Sequence, residues 1–243
     1  MENIQIFPGV DALAHAAAEL ITTAATESIA ARDVFHLVLS GGSTPRAIFS
    51  LLNREPYAQK IHWEKVHLWW GDERCVPPVH PDSNYRMAYD IFIKNLPIPD
   101  SQIHRIQAEL PARQAAENYE MAIREKLPSE TFPLFDLVLL GLGEDGHTAS
   151  LFPHTSALSE KAKWVTENFV AKLDAWRITL TIPVINAARQ VVILVSGESK
   201  AQTLKLVLQS PYEPEIYPIQ MIKPEKGTKT WLLDAQAAAK LPG

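Results

Sequence analysis

The chain has 243 residues, of which 47% are hydrophobic and 21% charged, and it carries a formal net charge of −5. That balance is ordinary for a globular protein and excludes a disordered, collagen-like or coiled-coil chain. The acidic surplus argues against generic binding to nucleic acid or to an anionic membrane.

In chain order, residues 4–7 form a short apolar strand. Residues 10–30 form a long helix whose Leu13, Ala17, Leu20 and Ala24 recur at 4-3-4 spacing on one face. Residues 34–39 read as a buried strand, followed by Ser40-Gly41-Gly42-Ser43-Thr44-Pro45 and a helix to about Leu52. Val66–Trp70 is a strand that runs into an irregular, charged, proline-containing stretch, 71–81. Residues 83–96 and 111–127 read as helices, and 135–140 as a near-continuous apolar strand ending at Gly141. Farther on, 177–182 alternates as a half-buried strand does, 191–195 is a buried strand and 198–209 a helix. The proline-rich stretch 211–224 reads as a surface excursion, and 230–233 is a last short strand before an alanine-rich helix. No repeat or linker interrupts this order, so a single domain over residues 1–243 is expected.

Other features bound the class. One cysteine, Cys75, excludes an internal disulfide and a C-x-x-C site and fits the reducing cytoplasm. No apolar run approaches the ~18–20 residues that span a bilayer. Met1-Glu2-Asn3-Ile4 lacks the basic start of a signal peptide. A cytoplasmic protein is expected, and an acidic surface without an apolar seam fits a monomer or weak homo-oligomer.

Strands alternating with helices predict βαβ units around a largely parallel sheet. In such a sheet, ligands sit beyond the carboxyl ends of the strands. Four loops of unusual composition follow strands, at 40–45, 71–78, 141–147 and 196–200, and they are expected to gather on one edge.

In the first loop, glycines let the backbone approach a ligand, Ser43 or Thr44 can cap the following helix, and Pro45 fits its first turn. Free N–H groups and the helix dipole suit an anion there, although the same residues also read as a well-capped turn. No Gly-Lys-Ser/Thr follows, so it is not a Walker motif. In Gly71-Asp72-Glu73-Arg74, Arg74 suits a phosphate and Asp72 a proton or a hydroxyl; a surface loop with internal ion pairs is the plainer alternative. Gly141-Leu142-Gly143-Glu144-Asp145-Gly146 matches G-x-G-x-x-G. Glu144 and Asp145 would face a pyrophosphate, however, and Pro153 comes too soon for a long helix, so dinucleotide binding is not expected. His147, beside Asp145, can act as a general base or as a structural histidine. Arg177 and Lys200, taken alone, read as readily as solvated charges as functional ones. No G-x-S-x-G or H-E-x-x-H occurs, and the remaining histidines lack metal-ligand spacing. Neither a covalent acyl-enzyme nor a catalytic metal is expected.

Several blocks appear in order and at suitable spacing: Leu39-Ser40-Gly41-Gly42-Ser43-Thr44-Pro45, Trp70-Gly71-Asp72-Glu73-Arg74, Ser83-Asn84-Tyr85, GLGEDGHTASLFP at 141–153, and Gly197-Glu198-Ser199-Lys200. Jointly they resemble the 6-phosphogluconolactonase family over essentially the whole chain. The related glucosamine-6-phosphate deaminases share the Ser-Gly-Gly loop and the Asp-Gly-His turn. They carry an acidic residue close behind the histidine, where this chain has Thr148-Ala149-Ser150-Leu151-Phe152-Pro153.

The resemblance implies a Rossmann-like α/β fold with helices on both faces of the sheet and no required cofactor. It implies hydrolysis of 6-phospho-D-glucono-1,5-lactone, a step of the oxidative pentose phosphate pathway. A deaminase- or isomerase-like enzyme and a non-catalytic sugar-phosphate-binding protein are the alternatives. On the lactonase reading, Gly41, Gly42, Ser43 and Thr44 seat the phosphate, and Arg74, Lys200 and Arg177 add charge-assisted bonds. His147 takes a proton from the water that attacks C1 and returns one to the ring oxygen. Asp145 orients the imidazole, Asp72 holds sugar hydroxyls or the histidine, and N–H groups of the 141–146 loop serve the oxyanion. Activity is then expected to fall as the pH drops through an unperturbed histidine pKa of about 6.5.

Overall fold

The computed structural model describes residues 3–242. Its strands are β1 (Asn3–Phe7), β2 (Phe35–Leu39), β3 (Val66–Trp70), β4 (Asp72–Arg74), β5 (Leu137–Gly141), β6 (Val165–Val170), β7 (Ala175–Leu180), β8 (Gln190–Val195) and β9 (Thr228–Asp234). Its helices are α1 (Val10–Arg32), α2 (Ser43–Leu52), α3 (Tyr57–Lys60), α4 (Asn84–Ile91), α5 (Ala112–Lys126), α6 (Ile182–Ala187) and α7 (Ala201–Gln209).

Six strands form one sheet in the order β1-β9-β8-β5-β2-β3, and every pairing in it is parallel. The central strands explain why. FHLVL in β2 is buried at every position, and β5 and β8 bury all but one end residue. Strands apolar on both faces need cover on both faces. Helical crossovers supply it. The chain steps from β1 through β2 to the β3 edge and then returns through β5, β8 and β9; α1 packs on α2, and α4 packs on α2 in turn. This is the largely parallel α/β sheet that the alternation implied, in the Rossmann-like form that the resemblance implied. In α1 the stripe of Leu13, Ala17, Ile21 and Ala24 is buried. Leu20 is only half-buried, because the residue one turn beyond Ala17 is Ile21.

A second sheet, antiparallel in the order β4-β7-β6, was only partly legible. Its β7 was expected; β6 was not, and β4 lies within the charged stretch read as irregular. Gly71 joins the two sheets. Its N–H donates to Leu39 O at 2.9 Å and its own carbonyl accepts from Leu180 N at 2.8 Å.

Four local expectations change. Helix α2 is capped by Gly42, at φ 109°, with no side-chain cap. The Thr44 hydroxyl instead meets Ser196 Oγ at 2.6 Å. The helix expected over 83–96 ends at Ile91 and continues as a short 3₁₀ turn. The alanine-rich tail forms successive turns rather than a helix, with Ala239 N on Gln236 O and Leu241 N on Ala238 O. Finally, the stretch 211–224 is not a plain surface excursion: Pro218, Ile219 and Gln220 are buried and Ile219 N donates to Gly146 O at 3.1 Å. Among the described residues, no helix is long and apolar enough to cross a membrane.

Candidate active site

The chain leaves β2 toward β3 on one side and returns to pair β5 on the other. Such a reversal opens a crevice at the carboxyl ends of the two strands. The loops after β2, β3, β5 and β8 do converge there. Gly41, Gly42, Asp72, Arg74, His147 and Lys200 line one cleft. Ser43, Thr44, Asp145 and Arg177 are not part of this lining: Ser43 is exposed, Thr44 is buried on Ser196, Asp145 lines an adjoining hollow with His147 and Lys200, and Arg177 pairs in register with Arg74. After Gly146 the chain makes turns and no helix, so the G-x-G-x-x-G pattern presents no helix N-terminus to a pyrophosphate.

His147 is held from several sides. Its Nδ1 lies 2.5 Å from Asp145 Oδ1, and its ring stacks on Phe152 with centroids 4.1 Å apart. The imidazole lies against Gly143, where a Cβ would come within 1.9 Å of Nδ1. Gly146, at φ 81°, turns the chain against Tyr217. With Nδ1–H donated to the carboxylate, the lone pair of the neutral ring is on Nε2. Burial lowers the pKa to about 4; Lys200, Arg74 and Arg177 add to the fall, and Asp72 opposes it. The imidazole is therefore neutral throughout the range where an unperturbed histidine would titrate.

Asp72 is a fixed, buried carboxylate. Its Oδ2 accepts from Ser150 Oγ at 2.6 Å and its Oδ1 from Asn84 Nδ2 at 3.3 Å. Ser150 reaches it through a tight turn in which Ala149 adopts φ 47°, and the second sheet clamps that turn. Thr179 Oγ1 accepts from Ser150 N, and Asn168 Nδ2 donates to Ser150 O. Asn84 in turn fills the space over Gly41, where a Cβ would fall 1.9 Å from its Oδ1. The sequence offered no role for Asn84 or Glu73. The structure gives Glu73 four donors: Arg74 N, Asn84 N, Tyr85 N and Ser83 Oγ, at 2.8–3.0 Å. This buried carboxylate anchors the start of α4, and burial pushes its pKa up despite those bonds. The signals that could have found it are its place beside Asp72 and within the 70–74 block.

The cations are arranged for an anion. Arg74 and Arg177 sit opposite each other across β4 and β7. Their guanidinium groups donate to backbone carbonyls of Asp82 and Trp176, and neither pairs with a carboxylate among the described residues. Burial first, then Arg74, lowers the Arg177 pKa. Lys200 Nζ lies 3.5 Å from Glu144 at the cleft mouth. The loop N–H groups proposed for an oxyanion are partly spent: Gly143 N donates to His147 O and Gly146 N to Gly143 O. Thr148 Oγ1, buried in the cleft wall, has no hydrogen-bond partner. No group of three or more His, Cys, Asp or Glu side chains among the described residues is placed to hold a metal.

The family model described as glucosamine-6-phosphate isomerases/6-phosphogluconolactonase matches residues 8–231. A 6-phosphogluconolactonase of Synechocystis sp. is 44% identical over 225 residues, covering 91% of this chain and 90% of that protein. One of Nostoc sp. is 40% identical over 246 residues, covering 99% and 98%. The solved structure of 6-phosphogluconolactonase from Trypanosoma brucei superposes with a TM-score of 0.89 at 28% identity, covering 100% of this chain and 99% of that one. The match runs through the loops that build the cleft as well as the sheet beneath them, and on it the chain belongs to the glucosamine-6-phosphate isomerase/6-phosphogluconolactonase family.

Proposed function

We propose that this protein hydrolyses 6-phospho-D-glucono-1,5-lactone to 6-phosphogluconate, within the oxidative pentose phosphate pathway of the cytoplasm. The observation that carries the reading is a neutral, carboxylate-bound imidazole beside two arginines, Arg74 and Arg177, that pair with no carboxylate among the described residues. The substrate brings what the cleft lacks, a phosphate dianion, together with an ester carbonyl.

The phosphate sits on Gly41 and Gly42 at the start of α2, with Arg74, Lys200 and the flanking Arg177 around it. Ser43 and Thr44 contribute through the backbone at the helix start, since the Thr44 hydroxyl is engaged. His147 Nε2 accepts a proton from water as its oxygen bonds to C1. The tetrahedral intermediate then collapses, the bond from C1 to the ring oxygen breaks, and the imidazolium returns the proton to that oxygen. Asp145 fixes the tautomer and supports the transient imidazolium. Asp72, which makes no hydrogen bond to the imidazole, is assigned to sugar hydroxyls.

The test generates the lactone in situ from glucose 6-phosphate with its dehydrogenase and follows its loss. Three samples are compared: wild type, His147→Ala and no protein. Wild type is expected to exceed the spontaneous rate clearly, and His147→Ala to fall by about 10²–10⁴-fold. Equal rates for both proteins would keep the reaction and remove His147 as the base. No acceleration by wild type, with ammonia released from glucosamine 6-phosphate, would replace the lactonase reading by a deaminase one.

A further inference from the structure

Asp145 engages His147 with one oxygen only. Oδ1 takes Nδ1, while Oδ2 is closed off from solvent. What touches Oδ2 is the ammonium of Lys172. Lys172 comes from the 3₁₀ turn Ala171–Leu173 that joins β6 to β7, at the tip of the second sheet. The same ammonium lies over the Phe152 ring, 4.7 Å from its centroid, on which the His147 imidazole is stacked. Ammonium, carboxylate, imidazole and phenyl ring thus close on one another. A carboxylate with a buried, unpaired oxygen would turn away toward water or take up a proton. Either change would release Nδ1–H and leave the imidazole free to exchange tautomers.

We infer that Lys172 is a positioning residue for the Asp145–His147 pair: its ammonium keeps the carboxylate ionised and turned onto Nδ1–H, so that Nε2 keeps its lone pair. Its effect on catalysis rests on the lactonase reading, while its effect on the imidazole does not. The second sheet thereby serves the site twice, presenting Asp72 and Arg74 from β4 and steadying the base from the β6–β7 turn.

The experiment pairs kinetics with nitrogen-15 spectra of the histidine side chains in the free protein. Lys172→Met keeps the length of the side chain and removes its charge. Lys172 is half-exposed on a turn, and thermal melting checks that the fold persists. In wild type, His147 is expected as a single Nδ1–H tautomer; in Lys172→Met, as a mixture of both. For lactone hydrolysis, Lys172→Met is expected to lower kcat by roughly 10- to 100-fold with KM changed less than about twofold. Lys172→Arg should restore most of the rate. Added to Asp145→Asn, Lys172→Met should cost nothing further, because both changes break one unit. An unchanged tautomer in Lys172→Met overturns the inference, whatever the rate. A raised KM at intact kcat also overturns it and makes Lys172 a substrate ligand. Absence of turnover in wild type would overturn the lactonase reading alone, since the tautomer measurement needs no substrate.

Discussion

Gly143 leaves empty the volume that the imidazole of His147 fills. A methyl group there would come within 1.9 Å of Nδ1 and 2.1 Å of Cε1. The ring is pinned between this glycine, Phe152 and Asp145, so it has nowhere to retreat. Gly143→Ala is expected to leave the protein folded and to lower kcat by about 10²-fold or more, as displacing a general base does; a circular-dichroism melt beside the lactone assay checks it. The same confinement changes the expected pH response. The sequence alone suggested a loss of activity near an ordinary histidine pKa, but burial and three cations bring the value down to about 4. An NMR titration of His147 in the free protein should therefore have its midpoint near 4. Activity should not fall through pH 6.5 on account of this group. A midpoint near 6.5 would refute the desolvation that the cleft geometry implies.

Short elements set the site more than long ones do. Strand β4 has three residues, yet it carries Asp72 into the cleft, places Arg74 opposite Arg177, and aims Glu73 at the start of α4. Glu73 answers three backbone N–H groups and a hydroxyl. Removing it leaves those donors buried without partners. Glu73→Ala is expected to cost about 3 kcal/mol or more, which for a chain of this size lowers Tm by about 6–12 °C. It should also weaken activity, because Asn84 positions Asp72 and packs on Gly41. Calorimetry and the lactone assay on one preparation test both halves.

The whole molecule carries a set of histidines that the folded state keeps neutral. Burial is the leading cause in each: His36 falls to about 3, His104 and His147 to about 4, and His67 also shifts down. His67 Nδ1 and His104 Nε2 lie 2.9 Å apart, an arrangement in which both rings cannot be charged. A group with its folded pKa below its unfolded value binds fewer protons when folded. Its stability contribution is complete above about pH 6.5 and is lost as the pH falls toward 4. Glu73, raised by burial, works in the opposite sense, but it is one group. Urea unfolding at pH 7, 6, 5 and 4.5 should show stability falling with an uptake of about three protons near pH 5. An uptake below one proton would mean that these rings are solvated in the fold.

The sequence by itself determined the parallel sheet and the four loops at its edge, and it named Gly41, Gly42, Asp72, Arg74, His147 and Lys200 among the residues that line the cleft. Those signals are local: apolar runs of strand length, glycines after strands, and charged residues where a strand ends. It also determined the family, through motifs whose order and spacing survive in a single chain. Only the tertiary structure decided what each polar group is bonded to. The Thr44 hydroxyl went to Ser196, Asp145 rather than Asp72 took Nδ1, and Lys172 arrived from a hairpin that has no pattern of its own in the sequence. The tertiary structure alone also lowered the pKa of His147. Burial and the proximity of Lys200, Arg74 and Arg177 are properties of space, set by segments far apart along the chain, and no local spacing encodes them.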